Sequence, residues 1–377
     1  MKKPRFSLGS IVMLLATLFV VIGMAAFLTL IAGDGVYERT RAVFGLLADQ
    51  TEEATATPTG VPTASPMPEI TEGPTPSPSP TATPVLEPKR LTIAAAGTIY
   101  APKTVRESVQ EGTDHYDFMT TFEGLSGALE NADLSIVTLE TLAAGREKGY
   151  GNYNTTPQIL DALRAVGVNF VSLATERALD KGYDGLDITA SELTSRSIGF
   201  AGVYPDGTNT GAAMANIDGV QVAVLAYTYG LSDEGRERTR DDSRGVVVMM
   251  DSQRVVRDIT QARVDGANIV VVLPHWGTKN RAQTPDTVQT MAREMAQAGA
   301  DVIFGTHPNV AQGVERLQTV RSDGLTYETV VCYSLGCLLT DARDSENTAG
   351  MAVRLEMTYD PATRRASPGT LEIVPLY

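Results

Sequence analysis

The sequence predicts an α/β domain with many parallel strand pairs, held at a membrane by one N-terminal transmembrane helix. Three observations lead to this prediction. Residues 89–377 alternate apolar, strand-like runs with amphipathic, helix-like stretches, and they are numerous enough to bury a sizeable core. Residues 8–32 contain no charged side chain. Between these two regions, residues 51–88 hold 10 of the 20 prolines and no Lys or Arg.

The N-terminal apolar stretch predicts a membrane anchor. Residues 8–32 exceed the roughly 20 residues that a helix needs to cross the hydrocarbon core. Lys2, Lys3 and Arg5 precede it, which favours residues 1–7 in the cytoplasm and the C-terminal domain outside the cell. The alternative is a cleaved signal peptide, whose apolar region is about 7–15 residues long and ends at a small-residue site. We favour the uncleaved single-pass anchor.

The tract after the predicted anchor has the composition of a spacer. A juxtamembrane segment, residues 33–50, leads into residues 51–88, where proline recurs every second or third residue over much of the tract. Proline removes backbone donors and favours the extended polyproline II conformation. Few apolar side chains are present, so no core offsets the entropy of ordering the chain. We expect a disordered linker that holds the next domain away from the membrane.

The remaining residues, 89–377, show two kinds of apolar pattern. Near-continuous apolar runs, typical of strands buried on both faces, occupy residues 91–97, 134–140, 169–174, 220–228, 268–277, 301–307 and 329–336. Apolar residues at helical spacing occupy residues 157–166, 185–197, 252–264 and 285–298. Strands that alternate with helices predict an α/β domain with much parallel pairing. Because the sequence has no internal repeat and no second long linker, we predict one domain.

The charge and the two cysteines narrow the range of functions. The chain carries a net charge of −14, of which −11 belongs to residues 89–377. An acidic domain binds a phosphate backbone poorly, so we expect no nucleic-acid partner. Cys332 and Cys337 flank a predicted strand end. A disulfide and a pair of small buried hydrophobic side chains are both open, and we favour the second.

Polar residues follow the predicted strands where α/β sheets usually form their sites. In such sheets, ligands bind at the carboxyl ends of the strands. The side chains found there belong to Thr98, Glu140, residues 175–177, His275 and residues 306–309. We therefore expect these groups to approach one another at one edge of the fold.

Four sequence blocks stand out within residues 90–357. They are VSLATERALDKGYDGLDITASELTSRSIGFAGV (171–203), LPHWGTKN (273–280), AGADVIFGTHPNVAQGVE (298–315) and YSLG (333–336). Together they resemble the CapA family, the bacterial capsule-synthesis proteins linked to poly-γ-glutamate. Their joint order and spacing carry the resemblance, since any one alone is weak. The resemblance implies a fold similar to the calcineurin-like metallophosphoesterases, a two-sheet sandwich flanked by helices.

The same blocks depart from the family pattern at the residues that would bind metal. The resemblance implies an aspartate where Thr98 stands and a histidine where Arg177 stands. The ligand types that remain are Glu140, Glu176, His275 and His307. A guanidinium keeps its proton and repels a cation, so we expect no resident metal. One divalent ion held by Glu140, His275 and His307 is the alternative, because three ligands and a water suffice for zinc. Without an ion, a Glu140–Arg177 pair would stand in for its charge.

Two function hypotheses from different classes follow. The first is a membrane-anchored, extracellular protein of capsule or poly-γ-glutamate-type polymer synthesis, non-catalytic or weakly catalytic, that acts by binding or assembly. Its expected partners are an anionic polymer and capsule-synthesis membrane proteins. A pocket for an anionic group would be lined by Thr98, Arg177, Asp180, Thr306 and Asn309. The second hypothesis is a metal-dependent hydrolase of phosphoester or amide bonds that activates water at a reduced metal site. No residue is assigned a catalytic role.

Overall fold

A computed structural model describes residues 86–204, 211–239, 247–343 and 349–376. The predicted cytoplasmic N-terminus, the anchor, the juxtamembrane segment and nearly all of the linker lie outside these residues, so they stay predictions. Within the described ranges, no helix is long and apolar enough to cross a membrane.

The described residues form thirteen strands and eight α-helices, numbered here in chain order. The strands are β1 (Lys89–Ile99), β2 (Leu134–Leu139), β3 (Phe170–Ser172), β4 (Gly199–Ala201), β5 (Ala213–Ile217), β6 (Val220–Thr228), β7 (Ile269–His275), β8 (Val302–Phe304), β9 (Val314–Val320), β10 (Thr326–Cys332), β11 (Cys337–Leu339), β12 (Gly350–Asp360) and β13 (Arg365–Leu376). The helices are α1 (Lys103–Ser108), α2 (Met119–Phe122), α3 (Ser126–Leu129), α4 (Gln158–Ala165), α5 (Gly182–Ser195), α6 (Asp233–Arg238), α7 (Ser252–Val264) and α8 (Asp286–Ala298). All seven predicted strands and all four predicted helices of the domain are present.

The strands form two mixed sheets. The first runs in the order β13-β12-β1-β2-β3-β4, and β11 pairs with the end of β1. The second runs in the order β5-β6-β7-β8-β10-β9. Neighbours from β1 to β4 are parallel, as are neighbours in the series β6-β7-β8-β10. In the second sheet the antiparallel pairs lie at both edges, so the parallel pairs form its centre. In the first sheet the antiparallel pairs β1–β12 and β12–β13 lie on one side, and the parallel pairs extend to the other edge at β4.

Strand side chains alternate between two apolar layers, as a period of two requires. On β7, Ile269, Val271 and Leu273 enter the core between the two sheets, and Val270 and Val272 enter the core beneath the helices. The core between the sheets combines residues of β1 and β2 with residues of β6 and β7. A second core lies on the first sheet's other face, and a third under α7 and α8. The expected two-sheet α/β arrangement with helices outside is therefore confirmed for the described residues.

Helix α7 shows how the sequence produces the outer layer. Asp251 caps its start, because the Asp251 carboxylate accepts a hydrogen bond from the Arg254 N–H at 2.9 Å. Val255, Ile259 and Ala262 then recur at helical spacing and are buried against the second sheet. The connection places the following strand β7 in the middle of that sheet, and β7 ends in a residue of the candidate site.

Candidate functional site

Residues at the carboxyl ends of strands from both sheets converge on one site. Glu140 directly follows β2, Glu176 lies in the loop after β3, and His275 is the last residue of β7. Thr306 follows β8 and forms a parallel bridge with His275. The loop after β7 brings Lys279 to both glutamates, which joins the first sheet to the second. The strand-end rule therefore indicates the region in which these side chains meet.

One lysine lies between two acidic side chains at the centre of this region. Lys279 Nζ is 4.0 Å from Glu140 Oε1 and forms an ion pair with Glu176 Oε1. Glu140 is 4% exposed. Burial raises the pKa of its carboxyl to about 7, against the opposing effect of Lys279. For Glu176, burial also acts to raise the pKa, but hydrogen bonds from Lys279 and Tyr229 hold it below its ordinary value.

Arg177 is matched by carboxylates of its own segment. Its Nε lies 3.3 Å from Glu176 Oε1, and its NH1 lies 3.4 Å from Asp180 Oδ2. Its guanidinium carbon lies 4.0 Å from the centre of the Tyr153 ring, in a cation–π contact. The Glu140–Arg177 ion pair suggested by the sequence does not form within the described residues, where the ion pair of Glu140 is with Lys279. The guanidinium approaches its sequence neighbours, and the ammonium arrives from the other sheet.

Asp180 fixes the loop that carries Arg177. Besides pairing with Arg177, its carboxylate accepts a hydrogen bond from the Ser232 hydroxyl. Ser232 in turn caps α6 by accepting the Gly235 N–H at 2.9 Å. Burial raises the pKa of Asp180 above its ordinary value. The loop after β3 is thereby tied to the segment after β6.

Two buried histidines form a hydrogen-bonded chain next to the carboxylates. His275 Nδ1 lies 3.2 Å from Thr306 Oγ1, and His275 Nε2 lies 3.2 Å from His307 Nδ1. The Tyr229 ring packs against His307 with 4.5 Å between ring centres. Burial lowers the pKa of His307 to about 4 and that of His275 well below its ordinary value, so both are neutral at pH 7. His307 holds a φ of 98°, a conformation that non-glycine residues adopt at a cost and mostly at functional positions.

The residues present do not fit a divalent metal ion. Within the described ranges, no three His, Cys, Asp or Glu side chains form a group that could hold one. Both ring nitrogens of His275 are engaged by Thr306 and His307, and Glu176 is engaged by Lys279. The Lys279 ammonium would repel a cation placed beside Glu140. Of the ligand set Glu140, His275 and His307, His275 therefore has no free ring nitrogen in this arrangement.

A cleft of about 260 Å³ opens beside Glu140. It is bordered by Tyr100, Glu140, Tyr153, Lys279, Asn280, Asn309, Cys337 and residues 340–342. The loops after β7 and β8 are held together on one side of it, since the Asn280 N–H donates to the Pro308 carbonyl at 2.8 Å. Near the end of β1 the chain passes close to Gly336, and a Cβ at residue 97 would overlap the Gly336 carbonyl. That approach requires glycine at position 97.

The five residues predicted to line an anion pocket occupy different surroundings. Asn309 borders the cleft, whereas Arg177 borders an adjoining concavity with Tyr229 and Glu176. Asp180 is buried beneath Arg177. Thr306 lies behind His275, and Thr98 is fully buried with no hydrogen-bond partner for its hydroxyl among the described atoms. The structure thus places the five residues near one another without forming one shared pocket.

Sequence reasoning missed Lys279 and Tyr229 as site residues. Lys279 lies in the block LPHWGTKN, four residues after His275. Its closeness to a strand-end histidine could have indicated that it belongs to the site. Tyr229 directly follows β6, so the strand-end rule applied to that strand would have found it. The remaining histidine, His115, is exposed and lies outside the site, where its Nε2 is 3.4 Å from Glu111 Oε2.

A match to a protein-family model shows the family of this chain. The family model described as bacterial capsule synthesis protein PGA_cap matches residues 92–342, more than half of the 377 residues. The chain belongs to this family. The match confirms the resemblance seen in the four sequence blocks. It spans every residue of the candidate site described above.

Two relatives of this PGA_cap protein come from Bacillus. A capsule biosynthesis protein CapA of Bacillus anthracis is 25% identical over 269 residues, which cover 68% of this chain and 61% of that protein. A PGA biosynthesis protein CapA of Bacillus subtilis strain 168 is 27% identical over 189 residues, or 50% of this chain and 46% of that protein. The chain therefore spans less than two thirds of either relative.

Solved structures similar to this PGA_cap protein include two phosphatase-type proteins. A calcineurin-like phosphoesterase YfkN from Bacillus subtilis has a TM-score of 0.45 and 15% identity, covering 77% of this chain and 91% of its own. A phosphatase from Mycoplasma pneumoniae has a TM-score of 0.44 and 11% identity, covering 76% and 94%.

Proposed function

We propose that this chain is a membrane-anchored, extracellular protein of capsule or poly-γ-glutamate-type surface-polymer synthesis, and that it acts by binding or assembly. Membership of the capsule synthesis family supports the polymer context. The charge-free stretch 8–32 and the proline-rich tract support the anchor and the outward-facing domain. Membrane proteins of the same synthesis system and an anionic polymer are the proposed partners.

The observation that carries the binding role is the position of Lys279. Its ammonium is paired with Glu176 and approaches Glu140, the two acidic side chains retained among the family's ligand types. A fixed cation at this point supplies positive charge without a metal, and it remains when metal is scarce. Metal-dependent hydrolysis needs an ion with open coordination positions that can activate water. The paired carboxylates and the engaged histidine support a role in which no such ion takes part.

A metal-dependent hydrolase is the second candidate, and the histidine pair is the observation that favours it. His275 and His307 are neutral at pH 7, which is the protonation state of a metal ligand. The strained backbone at His307 is also typical of functional positions. Against this candidate stand the two hydrogen bonds that engage His275.

The polymer role is tested in the source bacterium. Deleting the gene should remove or strongly reduce the surface polymer, and the intact chain should restore it, as should a Lys103→Met control with an exposed lysine altered. Unchanged polymer in the deletion strain would refute the role. Titration of the purified full chain with γ-glutamyl oligomers tests direct contact, and an absence of heat would remove the anionic polymer from the partners.

A further inference from the structure

The cleft beside Glu140 has the size of a site for one small unit. Its volume of about 260 Å³ lies just below the roughly 300–1,000 Å³ of drug-sized ligand sites. It opens at the carboxyl ends of β1 and β2, where α/β folds bind ligands. Such a space accommodates a single ring with its substituents and does not enclose a polymer segment.

Two tyrosines form one wall of this cleft. The ring centres of Tyr100 and Tyr153 are 5.0 Å apart, with 33° between the ring planes. Arg177 lies over the Tyr153 ring and holds it in place. Tyrosine combines a flat apolar face with a polar hydroxyl. A pair of such rings at the rim suits a ligand that has an apolar C–H face and a polar edge.

Other lining residues supply hydrogen-bond acceptors and donors. The Asn309 amide oxygen is buried and has no hydrogen-bond partner in the part of the chain that the structure describes. A buried acceptor without a partner is costly, so the matching ligand group is a donor. Glu140 and Asp341 add carboxylate oxygens, and Lys279 and Asn280 add donors. Hydroxyl groups fit this mixture, because each of them both donates and accepts.

The charges around the cleft favour a neutral occupant. An anionic unit would lie beside the carboxylates of Glu140 and Asp341 and would be repelled by them. A cationic unit would compete with Lys279, whose ammonium is already paired with Glu176. We propose that this cleft binds a neutral, hydroxyl-rich unit of the size of one sugar ring, with the tyrosine pair against its C–H face and Asn309 accepting from a hydroxyl.

This inference goes beyond the proposed function, because it concerns a neutral unit at the cleft and not the anionic polymer proposed as a partner. The metal-free role and the sugar site can be refuted independently of each other. A chain that contains stoichiometric metal and binds a neutral sugar would refute the metal-free role and leave the sugar site in place. A metal-free chain that does not bind neutral sugars would refute the sugar site and leave the metal-free role in place.

The probe is N-acetylglucosamine, with glucuronate as the charged counterpart. Saturation-transfer NMR on the full chain, in a non-ionic detergent without a sugar headgroup, should show saturable binding of N-acetylglucosamine and weaker binding of glucuronate. Tyr100→Ala should weaken the binding about tenfold, because it removes the ring, whereas Tyr100→Phe should change it by less than about threefold.

Asn309→Gly is an independent test that keeps the backbone conformation at this position. Asn309 has a φ of 63°, which glycine adopts freely, so the variant removes the acceptor alone. We expect binding about fivefold weaker. Asn131→Gly is the matched control, because Asn131 has a φ of 58° and lies before β2, at the other end of that strand. It should bind like the wild type.

Three results would overturn the proposal. They are no saturable binding of N-acetylglucosamine, tighter binding of glucuronate, or binding that survives both Tyr100→Ala and Asn309→Gly. The unfolding transition of each variant is measured first. If Tyr100→Ala does not fold, Asn309→Gly decides the outcome alone.

Discussion

Two buried carboxylates of this domain have opposite surroundings. Asp301, just before β8, accepts the Val270 N–H at 2.9 Å and pairs with Arg321 at 3.0 Å and with Arg263. Glu140, just after β2, is almost as deeply buried, but its ion pair is with Lys279 at 4.0 Å. The first carboxylate is matched by a backbone donor and two guanidiniums. The second has one longer ion pair beside an open cleft.

The difference separates a stabilising role from a chemical one. Asp301 lies at the amino end of its strand. There its two partners, Arg263 and Arg321, also donate hydrogen bonds to the Gly299 and Ala300 carbonyls. Glu140 lies at a carboxyl end, where burial raises its pKa to about 7 and leaves it able to change charge near neutral pH. A shifted carboxyl in a cleft is typical of functional sites. Substitutions at the two ends should therefore have different consequences.

The largest expected effect is a loss of stability from Asp301→Ala. The variant leaves Arg263 and Arg321 without their shared carboxylate, and breaking a buried ion pair costs about 3 kcal/mol or more. Urea denaturation should show this decrease in the free energy of unfolding. The exposed Asp265→Ala is the control and should stay within about 0.5 kcal/mol of the wild type. A loss below about 1 kcal/mol for Asp301→Ala would contradict the stabilising role.

The next effect is a pH dependence that originates at Glu140. Because its folded-state pKa is raised from 4.5 to about 7, the folded protein binds the proton more tightly. This contribution to stability is complete below pH 4.5 and is lost as pH rises through 7. It amounts to about 3 kcal/mol. Relative to the wild type, Glu140→Gln should therefore gain that much unfolding free energy between pH 4.5 and 8. The exposed Glu356→Gln should show no such gain, and a flat difference for Glu140→Gln would refute the shift.

His307 should give an effect of similar size and opposite sign. Burial lowers its pKa from 6.5 to about 4, so the folded protein disfavours the charged imidazole. Its stability contribution is complete above pH 6.5 and is lost as pH falls toward 4, by about 3 kcal/mol. His307→Asn keeps a residue that tolerates a positive φ and cannot titrate. The variant should lose less stability than the wild type on acidification, as followed by urea denaturation at pH 7 and pH 4. An equal loss would show that His307 is not buried as described.

The smallest effect is a change in titration from Lys279→Met. Lys279 lowers the pKa of Glu140, so its removal should raise that pKa further, by roughly one unit. Carbon-13 NMR of the glutamate carboxyl measures the shift. Lys103→Met, at an exposed lysine paired with Glu107, should leave the Glu140 titration unchanged. A Glu140 pKa that falls or stays constant in Lys279→Met would mean that another group sets its charge.

Four of the strands that the sequence analysis missed, β4, β5, β9 and β13, lie at sheet edges, whereas β12 was missed although it is largely buried between β13 and β1. Central strands such as β2 and β7 are buried on both faces, so their apolar runs are continuous in the sequence. The edge strand β13 is largely exposed and contains Pro368 and Pro375, which weaken any strand pattern. Edge strands β5 and β9 escaped prediction for the same reason. Continuous burial is visible in one sequence, whereas edge pairing depends on a partner strand.

The site was predictable in location but not in pairing. The strand-end rule indicated Glu140 and His275 because it depends only on where strands end. It could not indicate that Lys279 approaches Glu140, since that contact needs two loops from different sheets to meet. A partner of Arg177 was easier to predict from the sequence, because Asp180 follows it by three residues in a short loop.

Elemental analysis of the purified full chain tests the central claim most directly. The chain is prepared without chelators, and its Mn, Fe and Zn contents are measured before and after incubation with each ion. The Lys279 ammonium beside Glu140 and Glu176 predicts less than stoichiometric metal in every sample. One or more ions for each chain, retained through dialysis, would contradict the metal-free binding role and favour the hydrolase.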